Sequence, residues 1–470
     1  MKSSVATLAL VIWPLIAVGL FSVRPAIQAT LWIVVGAQLL LPVGEMIKFE
    51  MIPQFDKATI PNLCIFLGYL FVARRIWRPS FGWVEVLVLI FVLGPIATSV
   101  LNNDPIIAGD RLIPGVGIYD AGSAIGSALI VLIPFFVGRG LLWSALAIEQ
   151  ILKVLVVAGL LYSIPMLFEM RFSPQLHAWI YGYLPSDFIQ QVRAGGYRPM
   201  VFMGHGLIAA TFLFMTVAAA AALWRTNTRL GQVSSAGATA YLSVILVLCK
   251  SAGAALFGIV VVPLICFVRP RVQSLVAIGL VMVALLYPLL RFTGVVPTGV
   301  ILQVTESLST ERASSLRVRF ENEAMLLDHA FERPIFGWGR YGRSRVYNEE
   351  GRDMSVTDGR WVITVGQFGI VGFLAEFGLL ALSVIRAARS YRLAESFRDR
   401  IFLTSLALIV SANMIDLLPN SSLLPMTWLF AGALLGRADT LRQLATRSPR
   451  VSPTGRLRYA EAEPSARPVM

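Results

Sequence analysis

Long runs of hydrophobic residues alternate with polar segments along most of the chain. A helix needs about 20 apolar residues to cross the hydrocarbon core of a bilayer, and many of the runs approach this length. The pattern predicts an all-α, polytopic membrane helix bundle of about 12–13 transmembrane spans. The candidate windows are residues 4–22, 26–44, 59–73, 81–101, 121–138, 143–167, 205–223, 237–249, 252–268, 273–290, 362–385, 401–417 and 421–436.

Two long polar segments, 169–204 and 291–361, interrupt the hydrophobic pattern. The second is by far the longer, and loops beyond about 15 residues are usually either functional or disordered. Helical periodicity at 316–330 is followed by a proline and a glycine-rich turn, which favours a large structured loop. The aromatic residues of segment 291–361 also argue against disorder; they are Phe320, Phe331, Phe336, Trp338, Tyr341 and Trp361.

Composition supports a membrane protein, and the distribution of charge predicts which segments face the cytoplasm. With 56% hydrophobic and 14% charged residues, the chain is too apolar for an ordinary water-soluble enzyme. Forty basic against 27 acidic residues give a net charge of +13, and basic residues concentrate in the cytoplasmic loops of membrane proteins. The arginine-rich segment 386–400 and the tail are therefore predicted inside, and both polar segments outside. The predicted regions are 1–290 (transmembrane), 291–361 (large outer loop), 362–436 (C-terminal spans) and 437–470 (disordered cytoplasmic tail).

The first candidate site, for binding phosphate, lies near the end of the outer segment 169–204. Arg193 and Arg198 flank the pair Gly195-Gly196, and guanidinium groups beside flexible backbone suit a bound phosphate. Alternatively, these arginines reach to lipid headgroups, although that role does not need the glycines. His205 stands at the mouth of the following span, either as part of this site or as a polar residue satisfied within the bundle.

A second candidate site lies in the large loop, where Gly337, Gly339 and Gly342 formally match the dinucleotide-binding pattern G-x-G-x-x-G. That fold needs a surrounding βαβ unit, which this loop is too short to supply. A turn with exposed amides and closely spaced arginines, Arg340 and Arg343, is instead a good design for binding an anion. The alternative is a solvated basic turn.

The carboxylates suggest proton transfer rather than metal binding. Asp358 lies where the large loop meets span 362–385, and it either accepts a proton from a sugar hydroxyl or caps the helix. Glu321 and Glu323 are interpreted as a solvated helix face. Within the spans, Glu376 is a functional candidate because intramembrane charges are costly, whereas Asp416 near a span end is explained by snorkelling. The spacing of His, Asp and Glu predicts no metal site.

Several of these features together resemble the O-antigen ligase/polymerase superfamily of bacterial polysaccharide assembly. They are Arg319, the helix after it, Pro-Ile-Phe-Gly-Trp-Gly at 334–339 and Gly-Gln-Phe-Gly-Ile-Val-Gly at 366–372. The sequences beginning at Arg193 and Lys250 resemble two shorter family motifs, Arg-x-x-Gly and Ser-Arg-Gly. The family's His-Asn is replaced by Asp358-Gly359 and its span glutamate by Gln367, as in a divergent member. Asp358 then takes the place of the histidine, or the activity differs.

The resemblance implies a metal-independent glycosyltransferase of the bacterial inner membrane, without a cofactor. It would transfer glycan from a polyprenyl-diphosphate-linked oligosaccharide to a glycan or lipid acceptor, as a polymerase or a ligase. Its partners would be membrane lipids and other polysaccharide assembly proteins, with no nucleic acid. The residues expected to act in catalysis are Asp358, Arg319 and Arg193; those expected to bind diphosphate or glycan are Arg198, His205, Arg340, Arg343, Gly337 and Gly339.

Two other classes of function remain open. A transporter or flippase of lipid-linked glycans should show internal repeats, or broken helices around a site at the bilayer midplane. The sequence has no internal repeat and concentrates its polar chemistry outside the spans. A non-catalytic component of a polysaccharide export complex is the other alternative, to which the arginine-rich tail could contribute.

Overall fold

The computed structural model describes residues 3–49, 53–74, 82–193 and 195–447, and it is a bundle of α-helices. The sheet content of these ranges is three two-stranded antiparallel hairpins, β1–β2 (Met46–Ile47, Phe55–Asp56), β3–β4 (Ile106–Ala108, Arg111–Ile113) and β5–β6 (Val192–Arg193, Gly196–Tyr197). The α-helices are α1 (Ser4–Val23), α2 (Ala26–Leu40), α3 (Thr59–Phe71), α4 (Trp83–Val100), α5 (Ile118–Leu141), α6 (Ala145–Phe172), α7 (Leu176–Tyr181), α8 (Gly206–Arg225), α9 (Ser235–Leu248), α10 (Ala252–Phe267), α11 (Pro270–Phe292), α12 (Thr298–Leu308), α13 (Thr310–Phe331), α14 (Arg360–Ser390), α15 (Phe397–Asp416) and α16 (Pro425–Arg447).

Helix α8 lies at the centre of the bundle, packed against α6, α9, α10 and α15. Its most apolar stretch is 89% buried, against 22% for α1 and α11. A helix that is apolar on every side is covered by protein or by lipid. For α8 the cover is protein, and the alanine-rich sequence 217–222 lets neighbouring helices approach closely. Leucine and valine side chains exposed on α1 and α11 form the apolar periphery that a bilayer would cover.

Three glycines allow α5 and α16 to pack backbone to backbone. A Cβ atom at Gly432 would lie 2.0 Å from the carbonyl oxygen of Phe135, and one at Gly436 would lie 2.4 Å from that of Arg139. On α5, a Cβ at Gly138 would lie 2.2 Å from the carbonyl oxygen of Leu429. Small residues spaced four apart permit such close contact between membrane helices.

Charged side chains cluster at one end of the bundle, which we call the basic end. Arg139 at the end of α5 donates to Glu85 at the start of α4 (2.7 Å) and to Asp439 on α16 (3.0 Å). Arg437 pairs with Asp399 at the start of α15 (2.5 Å). These ion pairs connect α4, α5, α15 and α16 at the basic end.

The two long polar segments lie at the opposite end. Helix α4 starts at the basic end, and Thr98 in its last turn donates to the carbonyl oxygen of Phe336 (2.7 Å). Helix α15 runs in the same direction, and Asp416 at its end accepts from Thr211 at the start of α8 (3.1 Å). The segment 173–205, which leads into α8, therefore shares this end with the segment 293–359.

Helix α14 is broken at Gly369 into two arms, residues 360–368 and 370–390. The φ of 66° and ψ of −168° at this position are essentially restricted to glycine. Arg360 and Glu376 would be about 24 Å apart along a straight helix with a rise of 1.5 Å per residue. Instead the Nε of Arg360 lies 3.1 Å from Oε1 of Glu376, which also accepts from Thr364 at 2.6 Å through Oε2. The arms therefore fold back on each other around a buried carboxylate.

Residues 334–339 fill the gap left by this break. A Cβ at Gly369 would lie 2.1 Å from the carbonyl oxygen of Ile335, and one at Gly337 would lie 2.6 Å from the backbone of Gln367. The segment completes the hydrogen bonding that the broken helix lacks. The amide-to-carbonyl bonds run from Trp338 to Gly366 (2.8 Å), Gly339 to Gln367 (2.9 Å), Ile370 to Pro334 (2.8 Å) and Val371 to Ile335 (3.2 Å).

These observations confirm the all-α class and correct two details. All thirteen apolar windows coincide with helices; within the described ranges, seven helices are long and apolar enough to cross a membrane and four further apolar helices are shorter. The window 362–385, predicted as one span, contains the break at Gly369. Helix α16 continues to Arg447, so the predicted start of a disordered tail at residue 437 is wrong; residues 448–470 lie outside the described residues.

Candidate functional site

Three of the arginines singled out from sequence converge on His205, at the end opposite the basic end. His205 caps α8, because its Nδ1 accepts the amide of Leu207 (3.1 Å). Burial, followed by the nearby charges of Arg198, Arg319 and Arg193, lowers the pKa of His205 to about 4. These arginines come from two separate segments of the chain, and the fold brings them to one place.

The hairpin β5–β6 and the turn before α10 hold the first two arginines. The Nζ of Lys250 donates to the carbonyl oxygen of Arg193 (3.3 Å), and Nη2 of Arg198 donates to that of Lys250 (3.4 Å). Gly206 makes room for Arg198, since a Cβ there would lie 2.3 Å from the arginine Cδ. The two shorter motifs, which begin at Arg193 and Lys250, are therefore neighbours in the fold.

A buried carboxylate anchors the segment that carries Arg198 and His205. Glu169 near the end of α6 accepts the amides of Leu176 (3.1 Å), Met200 (2.9 Å) and Val201 (2.7 Å). Val201 has a φ of 46°, an uncommon conformation for a β-branched residue that needs surrounding support. Glu169 supplies that support, and it thereby fixes where the segment passes the start of α8.

Arg319 and Asp358 form the other half of the site. The Nε of Arg319, on α13, lies 3.5 Å from Oδ2 of Asp358, and its Nη1 donates to the carbonyl oxygen of Pro419 (3.3 Å). Both side chains remain accessible, with 29% and 44% of their surfaces exposed. Asp416 is close enough for the charge of Arg319 to act on it. The prediction that Asp416 extends towards the membrane surface is wrong. Its carboxylate accepts hydrogen bonds from Asn420 (2.9 Å) and Thr211.

Glu323 fixes α13, and hence Arg319, to the bundle. Its carboxylate accepts from Tyr287 (3.1 Å) and Arg291 (3.1 Å) on α11 and from Trp361 (3.0 Å) on α14. Burial is the largest influence and raises the pKa of Glu323. The interpretation of Glu323 as part of a solvated face is therefore wrong. The one signal in the sequence was the aromatic and basic content of the adjoining helix ends.

Arg340, Arg343, Gly337 and Gly339 lie where the large loop contacts α14 and the segments around α4 and α5. Arg343 is fully buried, and it donates to the carbonyl oxygens of Trp338 (3.0 Å), Asp104 (2.8 Å) and Pro114 (3.1 Å). The amides of Trp338 and Gly339 were expected to be exposed, but they donate to α14. The contacts of Arg343 and the two glycines hold the turn against α4 and α14.

Arg340 borders a cavity of about 180 Å³ between α4, α5 and α14. Its walls are mostly apolar and aromatic, and the ion pair of Arg360 and Glu376 closes one side. Arg340 donates to the carbonyl oxygen of Asp120 at the start of α5 (3.3 Å). The charge of Glu376 within a span is visible in the sequence, whereas its pairing with Arg360, at the start of the same helix, follows from the break at Gly369.

Comparisons with protein-family models and with curated proteins identify no relative of this chain: no family model matches it, and no curated protein matches its sequence. Within the ranges that the structure covers, no group of three or more His, Cys, Asp or Glu side chains could hold a metal ion.

The shifted pKa of His205 predicts how stability depends on pH. The folded chain holds this imidazole neutral down to about pH 4, whereas the unfolded chain protonates it near the ordinary value of 6.5. Because the unfolded state then binds more protons, stability falls as the pH decreases through this window. We expect His205→Asn, which keeps a capping side chain, to lose less stability on acidification than the native chain. Thermal unfolding in detergent at about pH 7.5 and about pH 5 measures the difference; equal losses in both chains would contradict it.

Proposed function

We propose that the protein is a membrane glycosyltransferase that joins glycans from a polyprenyl-diphosphate-linked donor, as an O-antigen or exopolysaccharide polymerase or ligase. The observation that carries the proposal is the convergence of Arg193, Arg198 and Arg319 with Asp358 at one end of a helix bundle. The acceptor is a glycan or a lipid. The protein then resides in the bacterial inner membrane with the basic end towards the cytoplasm, as the distribution of positive charge favours.

The arginines suit a diphosphate leaving group. In the transfer, the acceptor oxygen bonds to the anomeric carbon while the bond from that carbon to the diphosphate oxygen breaks. Negative charge then grows on the diphosphate, and guanidinium groups already in place stabilise it without moving. Their planar arrays of donors match phosphate oxygens in pairs. Departure of the diphosphate would therefore need no general acid.

Asp358 is suited to take the proton that the acceptor hydroxyl loses. Its carboxylate is accessible and lies beside Arg319, so the acceptor would meet the base next to the group that binds the departing charge. The proton can pass from Asp358 to solvent after the product leaves. Arg319 would thus have two functions, since it contacts Asp358 and is also one of the diphosphate-binding arginines.

The position of the site also fits a lipid-linked donor. His205 is the N-cap of α8, and Asp358 lies just before Gly359, the N-cap of α14. Both therefore lie where membrane-spanning helices end, which is the level at which the phosphates of a membrane lipid sit. A diphosphate carried on a polyprenyl chain could reach the arginines without leaving the bilayer.

One observation favours transport of lipid-linked glycans as the second candidate function. Broken helices with buried charges are typical of transporter binding sites, and α14 has both a break at Gly369 and the pair Arg360 and Glu376. In α14, however, the backbone groups at the break are occupied by residues 334–339 rather than open to a ligand. We therefore place transport second.

The test is a transfer assay with purified protein in liposomes that contain lipid-linked oligosaccharide and no nucleotide. Longer glycans indicate a polymerase, and capture by a lipid acceptor indicates a ligase. Movement of the donor across the bilayer without a new glycosidic bond would favour the transporter instead.

We expect Arg319→Lys to reduce this transfer about a hundredfold, a loss typical of removing one donor to a developing oxyanion. Lysine keeps the positive charge but loses the planar pair of donors. Arg317→Lys is the matched control. Arg317 lies on the same helix, but its side chain is exposed and its ion pair with Glu306 is long, at 3.8 Å. Full transfer by both variants would overturn the role of Arg319.

A further inference from the structure

Helix α12 presents an apolar stripe that no part of the described chain covers. Its side chains are Val300, Ile301 and Val304, which are 59%, 37% and 56% exposed. Residues spaced by three and four positions lie on the same face of a helix, and Val304 has this spacing from Ile301 and Val300. The half-buried Thr298, Leu302 and Thr305 lie on another face and account for the packing of α12 on α13. We call Val300, Ile301 and Val304 the apolar stripe.

The stripe continues an apolar surface that belongs to α11. This helix is one of those long and apolar enough to cross a membrane, and near its end Leu289 and Phe292 are 58% and 55% exposed. Val295, in the short connection to α12, is 63% exposed. Five residues connect the two helices, so α12 begins within about 22 Å of the end of α11. The exposed apolar side chains thus pass from a span onto α12.

The neighbouring helix α13 places α12 at the level of the membrane surface. Glu323 on α13 contacts Arg291 at the end of α11 and Trp361 at the start of α14. Arg319 contacts the carbonyl oxygen of Pro419, just after α15. Since α13 touches the ends of three bundle helices, it lies across them. Helix α12 packs against α13 and is joined to the end of α11 by five residues, and on these two grounds we place it near the same level.

We propose that α12 is an interfacial helix whose apolar stripe inserts into the lipid surface at the end of the bundle opposite the basic end. A helix with apolar and polar faces lies in the interface with its apolar side about 5–10 Å into the headgroup and acyl boundary. Glu306 lies roughly 160° around the helix from Val304 and faces water. The inserted helix fixes the depth of α13, and with it the depth of Arg319.

The experiment compares Val304→Cys with Glu306→Cys, each labelled with an environment-sensitive fluorophore. The chain is otherwise complete, with Cys64, Cys249 and Cys266 replaced by alanine, and is reconstituted in liposomes containing phospholipid brominated on the upper acyl chain. We expect bromolipid to quench the label at position 304 about twofold or more relative to the label at 306, because only the former reaches acyl carbons. Aqueous iodide should show the reverse order.

Each other outcome contradicts the proposal. Equal bromolipid quenching at both positions would mean that α12 has no lipid-facing side, and a label at 304 shielded from both quenchers would mean that protein covers the stripe. If the cysteine-free chain fails to fold, a photoreactive benzoylphenylalanine at 304 or 306 in the native background replaces the labels; lipid crosslinks at 304 alone are then expected, and their absence overturns the proposal. Neither measurement depends on glycan transfer, so failure here leaves the proposed function untouched.

Discussion

Asp358→Asn should fold and insert normally but lose glycan transfer about a hundredfold or more, the size of effect expected when a general base is removed. Asparagine keeps the shape of aspartate and cannot accept the proton of the acceptor hydroxyl. Asp358→His should retain part of the activity, because a neutral imidazole can accept that proton. The measurement is the length distribution and yield of glycan made by purified protein in liposomes.

The alternative to a catalytic base is a helix cap, and the two predict different results. If Asp358 capped α14, asparagine would serve almost as well, and transfer by Asp358→Asn would equal that of the native chain. The residue at the N-cap of α14 is Gly359, with no side-chain hydrogen bond to the first turn. If the asparagine variant made glycans of native length, Asp358 would not be the catalytic base. It would not be a helix cap either, because Gly359 holds that position.

Gly369→Ala should destabilise the protein by about 3 kcal/mol, at the upper limit of what one strained backbone position costs. A Cβ at this position would lie 2.1 Å from the carbonyl oxygen of Ile335, and the φ of 66° is unfavourable for alanine. Relief of this clash would push residues 334–339 out of the break in α14. We expect a lower temperature of unfolding in detergent and a reduced yield of folded protein.

Gly279→Ala on α11 is the matched control for this prediction. No heavy atom among the described residues lies within 4 Å of a Cβ built there, and alanine is the better helix former by about 1 kcal/mol. This variant should unfold at or slightly above the native temperature. Equal stability of Gly369→Ala and the native chain would show that the break in α14 does not need glycine.

Local patterns in the sequence were sufficient to predict the helices. Hydrophobic runs of sufficient length form helices in a membrane because no water is present to satisfy exposed backbone groups. The helical periodicity at 316–330 falls within α13 (Thr310–Phe331), and the following proline lies just beyond its end. Candidate arginines could also be selected, since a guanidinium beside Gly195 and Gly196 has few purely structural roles. All of these inferences depend on residues close together in the chain.

Only the tertiary structure decided which of these residues meet. His205 is near Arg319 because Glu323 holds α13 across the bundle and Glu169 holds the segment before α8. The glycine-rich motifs at 334–339 and 366–372 are separate in the sequence, yet they are hydrogen-bonded partners that complete one broken helix. Hydrophobic periodicity carries no sign of that break, because both arms of α14 are apolar; the hydrogen bonds that support it come from a segment distant in the chain.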